Sequence, residues 1–169
     1  MINTYNLFTT VVIHGKIPIQ PQLHKKILNY VDEAIISSPT SIRSIVNGHQ
    51  IYNNFDGKKE LDDILNNYFS NFFGLKIVNN WLNILSNHSY NRPHFHVGNG
   101  VCSSAVFYLS NKNNNITFTK GSEIFEIKPK LFDFILFPFD LVHYVLPEER
   151  SEPRICYSLN LEMVNGGSR

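Results

Sequence analysis

The chain has 169 residues, of which 43% are hydrophobic and 13% aromatic, and its 15 basic and 14 acidic side chains leave a formal net charge of +1. That composition argues against disorder and suits one domain with a real core. The balanced charge argues against the basic footprint that duplex nucleic acid requires.

We expect a single domain over 1–169, with 1–75 supporting a core at 76–164. The N-terminus lacks a basic stretch followed by an apolar leader. The longest apolar run, 131–146, is broken by Asp133, Pro138, Asp140 and His143, so no segment reads as membrane-spanning. A soluble, cytoplasmic protein with no membrane partner is expected. Cys102 and Cys156 form neither a zinc-type cluster nor a disulfide framework, and both read as reduced structural thiols in strands.

In chain order, Leu7 to Ile19 reads as a strand with a loop, on the β-formers Phe8, Val11, Val12 and Ile13, closed by Pro18 and Pro21. Residues 22–37 carry Leu23, Ile27, Leu28, Val31, Ala34 and Ile35 at helical spacing, with Ser38-Pro39 as the stop. A polar stretch containing Gly48 leads to a short β-like piece near Ile51 and Tyr52. Residues 58–73 predict a second helix, with Leu61, Ile64, Leu65, Tyr68, Phe69 and Phe72 as its stripe and Gly74 as its C-terminal stop.

From residue 75 the pattern changes to short segments rich in Ile, Val, Phe and Tyr, at 75–85, 101–110, 115–119, 123–128, 132–138, 142–146 and 154–163. Turns at 111–114 and 120–122 separate some of them, and 86–93 reads as a loop shaping a pocket entrance. Seven short strands at this spacing predict a mostly β fold, a sandwich or barrel-like jelly roll, with the two helices packed on one outer face.

The chemistry begins at His94-Phe95-His96. On an extended segment, side chains two apart point the same way, so both histidines can grip one metal ion. His143 can supply a third ligand, and Arg154 a fixed positive charge for an anionic co-substrate. This set suggests a non-haem iron site, whose usual ligands are two histidines and one carboxylate on one face. A lone histidine is more often a surface or satisfied core residue, and His14, His24 and His49 are read that way. His88, near the site in the 86–93 loop, has a minor candidacy for contacting substrate. Arg154 sits in an apolar strand beside Ile155, Tyr157 and Leu159, where a guanidinium needs a partner. Tyr157 and Ser158 face opposite ways, so both cannot enter the barrel. Trp81, Phe107, Phe134, Phe137 and Phe139 read as core, and Lys25, Lys26, Lys58 and Lys59 as solvated helix positions. Asn83 and Asn160 either line the cavity or satisfy backbone groups.

Several stretches then resemble a known family in order and rough spacing: Trp81-Leu82-Asn83, His94-Phe95-His96, Ser104 to Leu109, Phe137 to His143, and Pro153 to Asn160. Together they make about 77–163 similar to the 2-oxoglutarate- and iron(II)-dependent dioxygenases, above all to small members from phages and marine bacteria. The resemblance implies a double-stranded β-helix, the cupin-like jelly roll. It implies Fe(II) on His94, His143 and His96, and 2-oxoglutarate held through its distal carboxylate by Arg154, with Tyr108, Ser158 and Asn83 as further co-substrate contacts. Oxygen is the second co-substrate. 2-Oxoglutarate would be decarboxylated to succinate while a carbon of an unassigned prime substrate is hydroxylated.

There are departures. His96 stands where most of the superfamily has Asp or Glu, so the third ligand is either His96 or a nearby carboxylate such as Asp140. Phe132 and Ala105 replace glycines. Cys156 replaces a serine whose hydroxyl assists the distal carboxylate, a contact left to Tyr108 or Ser158. Two other readings compete. A cupin-like metalloprotein without a 2-oxo acid would share the histidines, but it would carry a glutamate soon after His-x-His, and 97–102 has none. A non-catalytic binding protein on the same fold is the other. An exposed sheet edge would allow a homodimer.

Overall fold

The computed structural model describes residues 2–7, 10–35, 44–52, 54–98, 100–111 and 114–164, with only the backbone for 5–7. Among them the chain forms β1 (Asn3–Leu7), β2 (Thr10–Lys16), α1 (Pro21–Ala34), β3 (Ile45–Val46), β4 (His49–Ile51), α2 (Lys58–Phe73), β5 (Leu75–Leu85), β6 (Tyr90–His94), β7 (Val101–Tyr108), β8 (Ile116–Lys120), β9 (Glu123–Ile127), β10 (Asp133–Pro138), β11 (Val142–Val145) and β12 (Arg154–Met163). The strands make a seven-stranded sheet, β1-β2-β10-β7-β12-β5-β4, and a five-stranded sheet, β3-β6-β11-β8-β9. Every pairing is antiparallel. The architecture is mostly β and jelly-roll-like, as the strand spacing predicts.

The larger sheet is buried on both faces. On the outer face, Leu23, Ile27 and Val31 of α1 and Leu61, Leu65 and Phe69 of α2 pack with Phe107, Phe134, Tyr157 and Leu159 of the sheet. The four-residue spacing within each helical trio is what puts it on one helix face. Between the sheets, Val106, Tyr108, Ile135 and Phe137 of the large sheet meet Ile116, Phe118 and Ile127 of the small one. Tyr157 and Ser158 therefore part company, as alternation requires. Tyr157 joins the helix-facing core and bonds Asp62 through its hydroxyl at 2.7 Å, whereas Ser158 faces the space between the sheets.

Several boundaries differ from the sequence reading. The predicted strand over 7–19 is two paired strands, β1 and β2, and Phe8 lies outside the described residues. The first helix ends at Ala34 with Ile35 as its cap, and the Ser38-Pro39 stop lies outside the described residues, as do Lys112 and Asn113 of the 111–114 turn. Phe72 keeps helical spacing yet is 64% exposed, its ring resting on Tyr68. The predicted loop at 86–93 contains most of β6. Phe132 adopts a φ of 65°, a region that favours glycine. Its ring packs edge-on against His24 at 4.9 Å. Cys102 and Cys156 are free thiols. No helix among the described residues is long and apolar enough to cross a membrane.

Candidate metal centre

β6 and β11 are neighbours in the small sheet, and their register sets His94 directly opposite His143. His96 lies just past the end of β6, so strand alternation alone does not orient it. Its backbone N–H donates to Phe139 O at 2.8 Å, and its ring reaches across to the large sheet. The three imidazoles converge: one ligand atom from each of His94, His96 and His143 lies within 4.8 Å of the other two. No carboxylate joins them among the described residues. Asp140, the alternative third ligand on sequence grounds, is exposed and lies outside this cluster.

The second nitrogen of each ring fixes the chemistry. His94 Nδ1 meets Arg92 O at 2.7 Å, and His143 Nδ1 meets Leu141 O at 3.0 Å. His96 Nδ1 meets Asn160 Oδ1 and, at 2.8 Å, Ser104 Oγ. Carbonyl oxygens only accept, so each Nδ1 carries the proton and donates. All three Nε2 lone pairs are thereby left for an ion. Sequence reasoning missed Ser104 and left the role of Asn160 open. Asn160 is itself held by its amide donating to Asn79 Oδ1 at 2.8 Å. Removing this support should matter: Asn160→Ala is expected to weaken metal binding roughly 10–100-fold, measured by competition with a chelator.

Burial lowers the basicity of all three imidazoles. The effect is largest at His143, where the neighbouring rings also oppose a second charge. Neutral rings are what a metal needs. The sign of the pH effect follows. Below the ordinary imidazole value of about 6.5, the unfolded chain takes up protons that the folded chain resists. The metal-free protein should therefore lose stability as pH falls below that point. His49, buried on β4, has its basicity lowered by burial too and adds to the trend. Thermal melts across that range check this, and a flat profile would contradict it.

The histidines open on a narrow chamber between the sheets, lined also by Trp81, Asn83, Asn91, Arg154, Cys156 and Ser158. Arg154 is 2% exposed at the start of β12. Its Nη1 donates to Cys156 Sγ at 3.2 Å and its Nη2 to Tyr108 Oη at 3.3 Å, with the guanidinium over the tyrosine ring. None of the ion pairs among the described residues includes it. Burial pushes the Tyr108 hydroxyl and the Cys156 thiol upward, so both stay neutral beside it. Among the described residues a few buried side-chain polar atoms have no partner. Of these, Trp81 Nε1, Asn91 Oδ1 and Arg154 Nε belong to residues that line this one chamber. Orphaned buried groups are uncommon, and their convergence marks a place shaped for a polar ligand.

The remaining candidates divide. Asn83 lines the chamber and donates to Ser158 Oγ at 2.6 Å, so both are present at the site. Tyr108 reaches it only through Arg154. His88 sits on an exposed turn and is not among the chamber's lining residues. His14 pairs with Asp133 and His24 with Leu109 O, both satisfied as expected. Trp81, expected in the core, is half-buried and lines the chamber, and only its place beside Asn83 in the Trp-x-Asn stretch hints at that.

No family model matches the sequence, and no curated protein does. Solved structures do. A prolyl-4-hydroxylase from Pseudomonas putida is similar at 15% identity and a TM-score of 0.64, over 94% of this chain and 95% of that one. The non-haem α-ketoglutarate-dependent epimerase SnoN of nogalamycin biosynthesis is similar at 13% identity and a TM-score of 0.72, over 90% and 77%. HygX from Streptomyces hygroscopicus, with nickel and 2-oxoglutarate bound, is similar at 10% identity and a TM-score of 0.66, over 93% and 84%. At these identities the likeness is one of fold.

Proposed function

We propose that this chain is a 2-oxoglutarate- and iron(II)-dependent oxygenase on a double-stranded β-helix, with hydroxylation of an unassigned prime substrate as its default outcome. One observation carries the reading. Three imidazoles with free Nε2 atoms and a buried guanidinium with no carboxylate partner among the described residues open on the same chamber.

His94, His96 and His143 would hold the ion. Three neutral donors leave its two charges to be balanced by a dianion, and 2-oxoglutarate is one. The planar fork of Arg154 suits the carboxylate remote from the metal, and its unpaired Nε is a donor waiting for an acceptor. Tyr108 and Cys156 hold the guanidinium in place. Ser158 accepts from Asn83, which leaves its hydroxyl proton to donate to the co-substrate in place of the serine that Cys156 replaces. Bound iron(II) would supply oxygen activation coupled to decarboxylation of the 2-oxo acid to succinate. The residues of the chain would orient that acid. HygX was solved with a metal and 2-oxoglutarate together, which supports placing both here.

Anaerobic titration of the iron(II)-loaded protein with 2-oxoglutarate tests the proposal. A saturable visible metal-to-ligand charge-transfer band is expected. Bound iron that yields no band would overturn the reading.

A further inference from the structure

The chamber does not end at the histidines. It continues into a wider outer cleft that shares Gln50, Trp81, His94 and His96 with it. Tyr52 and Trp81 stack on one wall, with ring centroids 5.7 Å apart, and Trp81 lies 5.7 Å from the His96 ring. The aromatic wall thus runs from solvent to the metal centre. Tyr52 is held there by a chain of hydrogen bonds. Its hydroxyl donates to Gln50 Oε1 at 2.9 Å, and Gln50 Nε2 donates to Asn83 Oδ1 at 3.0 Å. Facing solvent at the same mouth are Phe95 and Val97, 54% and 75% exposed.

Charge narrows the occupant. Among the described residues no carboxylate lines the cleft or the chamber, whereas Arg92 lies in the first and Arg154 in the second. With the metal's charge balanced by the dianionic co-substrate, these two guanidiniums still leave the site positive, so a cationic group entering here meets repulsion and no counter-ion. One group on the wall asks for a specific partner. Trp81 Nε1–H is buried and meets no acceptor among the described residues, at the cost of an unmet hydrogen bond.

We infer that this cleft binds the prime substrate as a flat, non-cationic carbonyl compound, laid on the Tyr52–Trp81 wall with its carbonyl oxygen accepting from Trp81 Nε1. The identity of the occupant as prime substrate rests on the oxygenase reading; the binding preference does not.

Trp81 is the chain's single tryptophan, so its emission reports occupancy without turnover. The zinc-loaded protein with 2-oxoglutarate is titrated with 3-phenylpropanamide and with 3-phenylpropylammonium, which share a ring and differ in carbonyl and charge. Saturable quenching by the amide is expected, with binding of the ammonium weaker by about tenfold or more. Tyr52→Ala, at a 41% exposed position, and Trp81→Phe, followed by calorimetry, should each weaken the amide by roughly three- to tenfold. Equal binding of the two probes, no binding of the amide, or an unchanged Trp81→Phe affinity would overturn the inference. 2-Oxoglutarate affinity is measured by calorimetry on the same samples. If it persists while the probes fail, only this inference falls; if it is absent while the amide binds, the oxygenase reading falls and the cleft stands.

Discussion

Arg154→Met should abolish useful 2-oxoglutarate binding and, at the same time, raise the melting temperature of the free protein. The two effects share one cause. In the free chain the guanidinium is buried with a thiol and a phenol as its side-chain partners, an expensive environment for a charge. Methionine fills similar space without that penalty, so the ligand-free protein should gain about 1 kcal/mol or more. The co-substrate loses the buried cation that faces it. Removing one partner of a desolvated charge pair costs roughly 2–5 kcal/mol, which is about thirtyfold to several thousandfold in affinity. Calorimetry with 2-oxoglutarate beside thermal melts reads both. Arg154→Lys should fall between, since it keeps the charge and loses the fork. A destabilised Met variant would instead make Arg154 a structural residue.

His143→Gln should weaken metal binding more than about 100-fold, beyond the loss expected for a supporting residue. The ring stands in contact with Phe137, 4.7 Å between centroids, and with His94 at 4.2 Å. Among the described residues no carboxylate is placed to take over as third donor. Glutamine keeps most of the volume, so a folded protein with two remaining imidazoles is expected. Competition with a chelator measures the loss. The same variant should also show a shallower fall of metal-free stability at low pH, because the most deeply buried imidazole is gone. Unchanged affinity would remove His143 from the ligand set.

Much of the fold is legible in the sequence where one physical signal dominates. α2 spans the predicted 58–73 because its stripe is strong and Gly74, with a φ of 64°, stops it. β5 and β12 match their predicted limits, being long and rich in β-formers. β6 is illegible because Asn91-Arg92-Pro93 has no strand character of its own. Pairing with β3 and β11 makes it a strand. The His-x-His pair is legible as a motif, but the orientation of His96 is not. It is set by Ser104 and Asn160, distant in sequence and adjacent only once β7 and β12 pair. The aromatic wall is hidden for a similar reason. An isolated tryptophan in an apolar strand looks like core until the neighbouring strand shows which face is open.

The Asn160 bond has a mechanical consequence. His94 and His143 belong to one sheet, whereas the ring of His96 is anchored to the other through Asn160 and Ser104. An ion gripping all three is therefore a clasp across the mouth of the sandwich. Loading it should slow amide hydrogen exchange in β6 and β11 and in β7 and β12 together, as one cooperative unit. In the empty protein the two layers would be free to breathe apart at that end, which is where a ligand enters.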